Sequence, residues 1–354
     1  MRVTQYARFS LSAMLLSLGL AACGKDTGPS EFDPQGTTAD VAEAHDAFVS
    51  TQASSFAAIG SDISTVLNGA PIMASSAALV SPRPSAASAR YARQLVRLLP
   101  GAGPRIQASV SAIPSEVLGT TFAWDEETDT YAATDVSGAP TNGVRFLLYA
   151  IDPVTLRPVE PVVEVGYVDV TDQSTAATAA FRVKVVDGSV VYLDYGVSAT
   201  GTESSGIVTV SGYASNGSAR ANFTLKNTIS QNSGGLLLSL DYRLSVPARK
   251  VSLDWTATFA NISASEVAVT LDFVVAGPNG SVRLVGTYGA SGGTFTVKVN
   301  GGLFATVSLE GSSAVITGSN GASLTAEEEE TLHTILDYYD ESLIAFTDLL
   351  APLS

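Results

Sequence analysis

One cysteine and two histidines are all the thiol and imidazole chemistry that these 354 residues carry. A single thiol, Cys23, permits no disulfide within the chain, so stability has to come from packing. It also leaves too few ligands for a zinc site of the Cys or His type. The two imidazoles, His45 and His333, sit in segments of helical periodicity and read as surface residues. Charge is scarce as well: 15% of residues are charged, against about 25% in an ordinary globular domain. Cations are the rarer kind, 19 against 34 acids, for a formal net charge of −15. That balance argues against a nucleic-acid partner and against a broadly anionic bilayer face, since both require a cationic surface. The sequence contains no serine nucleophile elbow with a histidine to serve it, no phosphate-cradling glycine loop ahead of a helix and no zinc-protease signature. No catalytic residue is assigned, and no metal or cofactor is expected. The carboxylate pairs Glu126/Glu127 and Asp169/Asp172 fall in turns and strand ends, where acids are usually solvated.

What the chain does have begins at its N-terminus. Arg2 and Arg8 precede an uncharged stretch from Phe9 to Ala22, the layout of a secretory signal and short for a membrane span. It closes on Leu20-Ala21-Ala22-Cys23, which matches a lipobox. Over residues 1–23 the chain resembles bacterial lipoproteins. The resemblance implies cleavage before Cys23, a diacylglycerol on its thiol and attachment to a membrane through that lipid. Each buried methylene contributes roughly 0.8 kcal/mol, so one acyl chain holds marginally and two or three hold firmly. Gly24 stands where an Asp would imply inner-membrane retention, so the expected location is the cell envelope, lipid-anchored at the outer membrane. Beyond residue 22 the chain has 332 residues and a net charge of −17, enough for a large core. Residues 23–37, rich in Gly, Thr, Pro and Asp without apolar period, read as a lipidated cysteine and flexible tether.

Residues 38–119 form a helical region. Val41, Ala44, Phe48, Phe56, Ile59, Ile63 and Val66 recur at helical spacing, which predicts one long helix from Thr38 to about Leu67, with a break near Gly60. An Ala/Ser/Pro-rich connection leads to a shorter helix over Ser88–Leu99. Between Ser81 and Thr120 there are five arginines and one acid, a local net charge of +4. Arg90, Arg93 and Arg97 share a helix face and offer contact to anionic head groups or an acidic partner; the plainer reading is a solvated face.

Residues 120–323 change character. Turn signals such as Asp187-Gly188, Asn216-Gly217, Pro278-Asn279-Gly280 and Asn300-Gly301-Gly302 separate runs of alternating residues. In one run Leu236, Leu238, Leu240, Tyr242, Leu244 and Val246 oppose Ser239, Asp241, Arg243 and Ser245. This pattern predicts a large antiparallel meander sheet with one apolar and one wet face, strongly curved into a half-barrel or barrel. Leu-Asp-aromatic recurs at Leu193-Asp194-Tyr195, Leu240-Asp241-Tyr242, Leu253-Asp254-Trp255 and Leu271-Asp272-Phe273. Counting back from the turns places Asp254 near Arg243 and Asp272, a calcium candidate more simply read as a solvated face.

Residues 324–354 predict a C-terminal helix packing on the sheet. Thr325 and Glu328 have capping-box spacing, and Leu332, Ile335, Leu336, Tyr339, Leu343, Phe346 and Leu350 make one stripe. The fold expected is therefore mainly β (α+β), its sheet packed by N- and C-terminal amphipathic helices. The function expected is a non-catalytic structural or interaction scaffold with an envelope protein partner. The alternative is a lipid- or lipoprotein-binding carrier with an apolar groove under a helical lid. Trp255, Phe259, Phe273, Phe295, Tyr339 and Phe346 supply bulk to fill the interior, whereas Gly286 and Gly289 would leave space in it.

Overall fold

The computed structural model of the protein describes residues 32–47, 50–67, 113–176, 178–201, 205–232, 235–260, 268–289, 292–310 and 313–350, the last twelve by their backbone alone. Among the described residues three α-helices come first: α1 (Pro34–Asp46), α2 (Thr51–Ala58) and α3 (Gly60–Val66). Fifteen strands follow. The first five are β1 (Thr121–Asp125), β2 (Thr130–Thr134), β3 (Gly143–Tyr149), β4 (Glu164–Asp172) and β5 (Ala179–Asp187). Next come β6 (Val190–Gly201), β7 (Ser205–Ser215), β8 (Arg220–Asn232), β9 (Gly235–Val246) and β10 (Val251–Ala260). The last are β11 (Ala268–Gly277), β12 (Gly280–Gly289), β13 (Gly292–Val299), β14 (Gly302–Glu310) and β15 (Ser313–Gly318), ahead of helix α4 (Ala326–Leu350).

Hydrogen bonding joins all fifteen strands into one sheet in which sequence neighbours pair, from β15 back to β3. The meander expected from the turn spacing is therefore present, with one exception. β1 pairs antiparallel with β2 but parallel with β3, so that β2 becomes the edge. The sheet is not closed: β15 and β2 are its two ends.

Alternation along each strand decides which side is buried. In β10, Val251, Leu253, Trp255, Ala257 and Phe259 are buried, while Asp254 and Thr256 are exposed. The same phase runs across the register, so the inward residues of every strand join one apolar cluster from Phe122 to Val307. Flat, fifteen strands at about 4.8 Å spacing would span about 70 Å, too wide for the four α-helices among the described residues to cover. Accumulated twist curls such a sheet, and glycines tighten the bend. Gly212 lies between Tyr195 and Phe223, whose rings meet 6.2 Å apart. A Cβ at Gly212 would stand 2.5 Å from Tyr195 Cα, so only glycine permits this approach. Gly286 is packed in the same way, with Phe295 Cα 2.7 Å from where a Cβ would be. Gly286, read from sequence as leaving room in the interior, instead lets two strands and an aromatic ring close up.

The N-terminal segment has the expected break near Gly60 and a further one ahead of Ser50. Ser50 accepts a hydrogen bond from the Ala53 amide at 3.0 Å and starts α2, and the chain bends again at Ile59 ahead of Gly60. Helix α1 begins inside the stretch read as tether, because Asp33 caps it through the Gly36 amide at 2.9 Å and Pro34 suits the first turn. α1 lies against β9, β10 and β11, and α2 against β3 to β6. Helix α4 starts with the expected capping box: the Thr325 amide donates to Glu328 at 2.7 Å and the Glu328 amide to Thr325 at 3.2 Å. It packs along α1, where Thr331 and Thr38 hydroxyls are 3.1 Å apart, and it contributes Leu332, Ile335 and Tyr338 to the core.

Candidate functional site

Cys23, the lipobox residues Leu20, Ala21 and Ala22, and the arginines Arg90, Arg93 and Arg97 all lie outside the described residues. The other residues weighed for chemistry are found in three different settings. His45 and His333 are exposed on α1 and α4, and the His45 ring meets the Tyr338 ring edge-on at 6.3 Å. Glu126 and Glu127 are exposed in the β1–β2 turn. Asp169 is clasped by Arg145 through two bonds of 2.7 and 2.8 Å, whereas Asp172 accepts from the Ser174 amide at 2.8 Å, so the two carboxylates serve separate local structures. Among the described residues no three His, Cys, Asp or Glu side chains gather in a metal-binding group.

The wet face is organised by ion pairs across neighbouring strands. Arg145 also stacks over the Tyr167 ring at 3.7 Å, and its hydrogen bonds to Asp169 push its guanidinium pKa up. Arg182 holds Asp194 at 2.8 and 2.9 Å, Arg283 clasps Asp272 in the same two-pronged way, and Arg220 lies 3.6 Å over the Tyr213 ring. Asp254 pairs in register with Arg243, their charged atoms 3.8 Å apart, as expected. Asp272 stands opposite Thr256 instead and is taken by Arg283. The recurrent Leu-Asp-aromatic triplet is thus one device: Leu and the ring point into the core, and Asp meets an arginine outside.

One rim of the curled sheet carries the connections after β3, β5, β7, β9, β11 and β13, and the N-terminal helices run across it hairpin by hairpin. The Phe32 ring sits 5.0 Å from Phe304 at the start of β14. Asp40 accepts from Asn279 in the β11–β12 turn at 3.4 Å, and Glu43 pairs with Arg249 of the β9–β10 turn at 2.9 Å. The Asp46 carbonyl accepts from Asn216 of the β7–β8 turn at 3.1 Å, and Gln52 donates to Asp187 at the end of β5 at 3.1 Å. Asp62 then faces Arg157 of the β3–β4 loop. Chain order in the helices is the reverse of hairpin order in the sheet, so residues 32–62 form a belt across this rim. Burial raises the pKa of Asp40, with Asp33 and Glu43 adding to the effect and Asn279 opposing it. Burial likewise raises that of Asp62, against the pull of Arg157.

The interior holds a residue that the sequence reading did not single out. Asn227 on β8 is 2% exposed, and among the described residues neither its Oδ1 nor its Nδ2 has a hydrogen-bond partner. It occupies the inward phase of the series Ala221, Phe223, Leu225, Asn227 and Ile229, where every other member is apolar. That break in alternation was the available signal. Comparison with known proteins gives no matching family model, no similar curated protein and no similar solved structure.

Proposed function

We propose that the protein is a non-catalytic, membrane-tethered scaffold of the bacterial cell envelope, held by a lipid on Cys23 and presenting its β body to an envelope partner. The observation that supports this reading most is the belt. The segment directly after the proposed tether is the one fastened to successive hairpins along the rim, so a pull on the anchor is distributed over many strands instead of peeling off one terminal element. A freely diffusing carrier or enzyme has no need of such an attachment. Bulky inward side chains agree with a scaffold: Trp255, Phe259, Phe273 and Phe295 are all at most 3% exposed.

The reading is tested by separating the body from its anchor in the native host. A strain lacking the protein is complemented either by the full chain or by residues 24–354 exported behind a cleavable, non-lipid signal. A tethered scaffold restores envelope integrity, measured as resistance to detergent, only in the anchored form. Full rescue by the soluble body at equal abundance would overturn it. Labelling with radioactive palmitate, lost in Cys23→Ser, checks the anchor itself.

A further inference from the structure

We propose that Asn227 is the polar contact of an interior binding site for a small apolar guest with a neutral hydroxyl or carbonyl head group. A primary amide offers two donors and a carbonyl acceptor, and taking it out of water without partners is unfavourable. Asparagine is also a poor strand residue, so neither local propensity nor burial accounts for it at the centre of β8. Residues that break a local rule at this level of burial are expected where a site must recognise something.

The surroundings of Asn227 fit a guest. Across the strands its row reads Ala199, Val208, Asn227, Leu240, Ala257, Leu271 and Gly286. Ala199 and Ala257 carry a single carbon each, while at Gly286 the strands close up against Phe295. On one side the adjacent inward row carries Tyr242, Trp255 and Phe273, and on the other it carries Phe259 and Tyr288. The shorter side chains of the Asn227 row make a furrow beside the rings of β9 to β12, and it is ended at β13 by Phe295, which stands opposite Gly286. It lies beyond the Trp255 row on the side away from the belted rim. No lysine, arginine or histidine is among the buried residues described, so a charged head group would meet no counter-ion there. A neutral head group with one donor and one acceptor, such as an alcohol, matches the amide.

The experiment uses the full chain carrying Cys23→Ser, with N-phenyl-1-naphthylamine as fluorescent probe and 1-decanol as competitor. The probe is expected to bind saturably near one per chain, and 1-decanol to displace it. In Asn227→Leu, which replaces the amide by an apolar group of similar size, the affinity for 1-decanol is expected to fall at least tenfold. Probe affinity should change less than twofold, and the melting temperature should hold or rise. Ala257→Leu, which fills the furrow without touching the amide, should weaken probe and 1-decanol together. Absence of saturable probe binding, or 1-decanol affinity unchanged in Asn227→Leu, would overturn the proposal. Equal loss of both ligands in Asn227→Leu with an altered near-ultraviolet spectrum would also count against it, since the residue would then be structural.

Discussion

The two faces of the sheet share the same strands and alternate residue by residue, yet they are governed by different physics. Outward side chains meet as discrete pairs, Arg145 with Asp169, Arg182 with Asp194 and Arg283 with Asp272, each in partial contact with water. Inward side chains form one continuous cluster, where Tyr242 meets Trp255 at 5.9 Å and Phe56 of the belt meets Tyr195 at 6.5 Å. An outer pair can be lost without disturbing its neighbours, because water replaces the missing partner. An inner side chain cannot, because dense packing transmits the defect. The contrast also marks Asn227: the same amide on the outer face would need no explanation.

Trp255→Ala should show the largest effect, since the indole is 1% exposed at the centre of the inner face. Losing its transfer energy and opening a cavity should cost about 3–5 kcal/mol in urea unfolding. A cost below about 1 kcal/mol would mean the interior is loosely packed and would erase the contrast. Gly212→Ala tests the bend rather than the bulk. The added methyl drives against the Tyr195 backbone, so a loss of about 1–3 kcal/mol is expected. An unchanged midpoint would show that the curl does not depend on this approach.

On the outer face, Arg145→Ala should cost about 1 kcal/mol, because both partners are less than a fifth exposed and the bonding is two-pronged. Arg283→Ala, with its guanidinium half exposed, should cost about 0.5 kcal/mol or less and lose even that at high salt. If the two arginines proved equivalent, partial burial would not be the factor that grades this face. The smallest effect concerns pH. The carboxyl of Asp40 has its pKa raised in the folded state, so the folded protein binds more protons there than the unfolded chain does. Its contribution is present below the unfolded value and is lost as pH rises through the folded one. Asp40→Asn should therefore melt at the same temperature as the parent in acid and at a higher temperature at neutral pH. A variant that melts lower at neutral pH would show that the ionised carboxylate is wanted at the belt.

Periodicity of two along the strands and the closely spaced turn residues were enough to determine a long antiparallel meander with one apolar face, because both are local properties of the chain. The capping box at Thr325 and Glu328 was legible for the same reason. The in-register meeting of Arg243 with Asp254 could be counted from a tight turn, since a short hairpin fixes its own register. Other features depended on which distant segments meet. The parallel β1–β3 pair, the choice of an open over a closed sheet, and Gly286 as a packing position instead of a space were decided by chain path and curvature. So was the belt, for nothing in residues 32–62 names the hairpins that Asp40, Glu43, Asp46 and Gln52 will reach. Asn227 belongs to both levels. Its break in the apolar phase was in the sequence, but that its amide finds no partner is a fact of tertiary structure, because satisfying a buried polar group depends on whatever the rest of the chain brings within 3 Å of it.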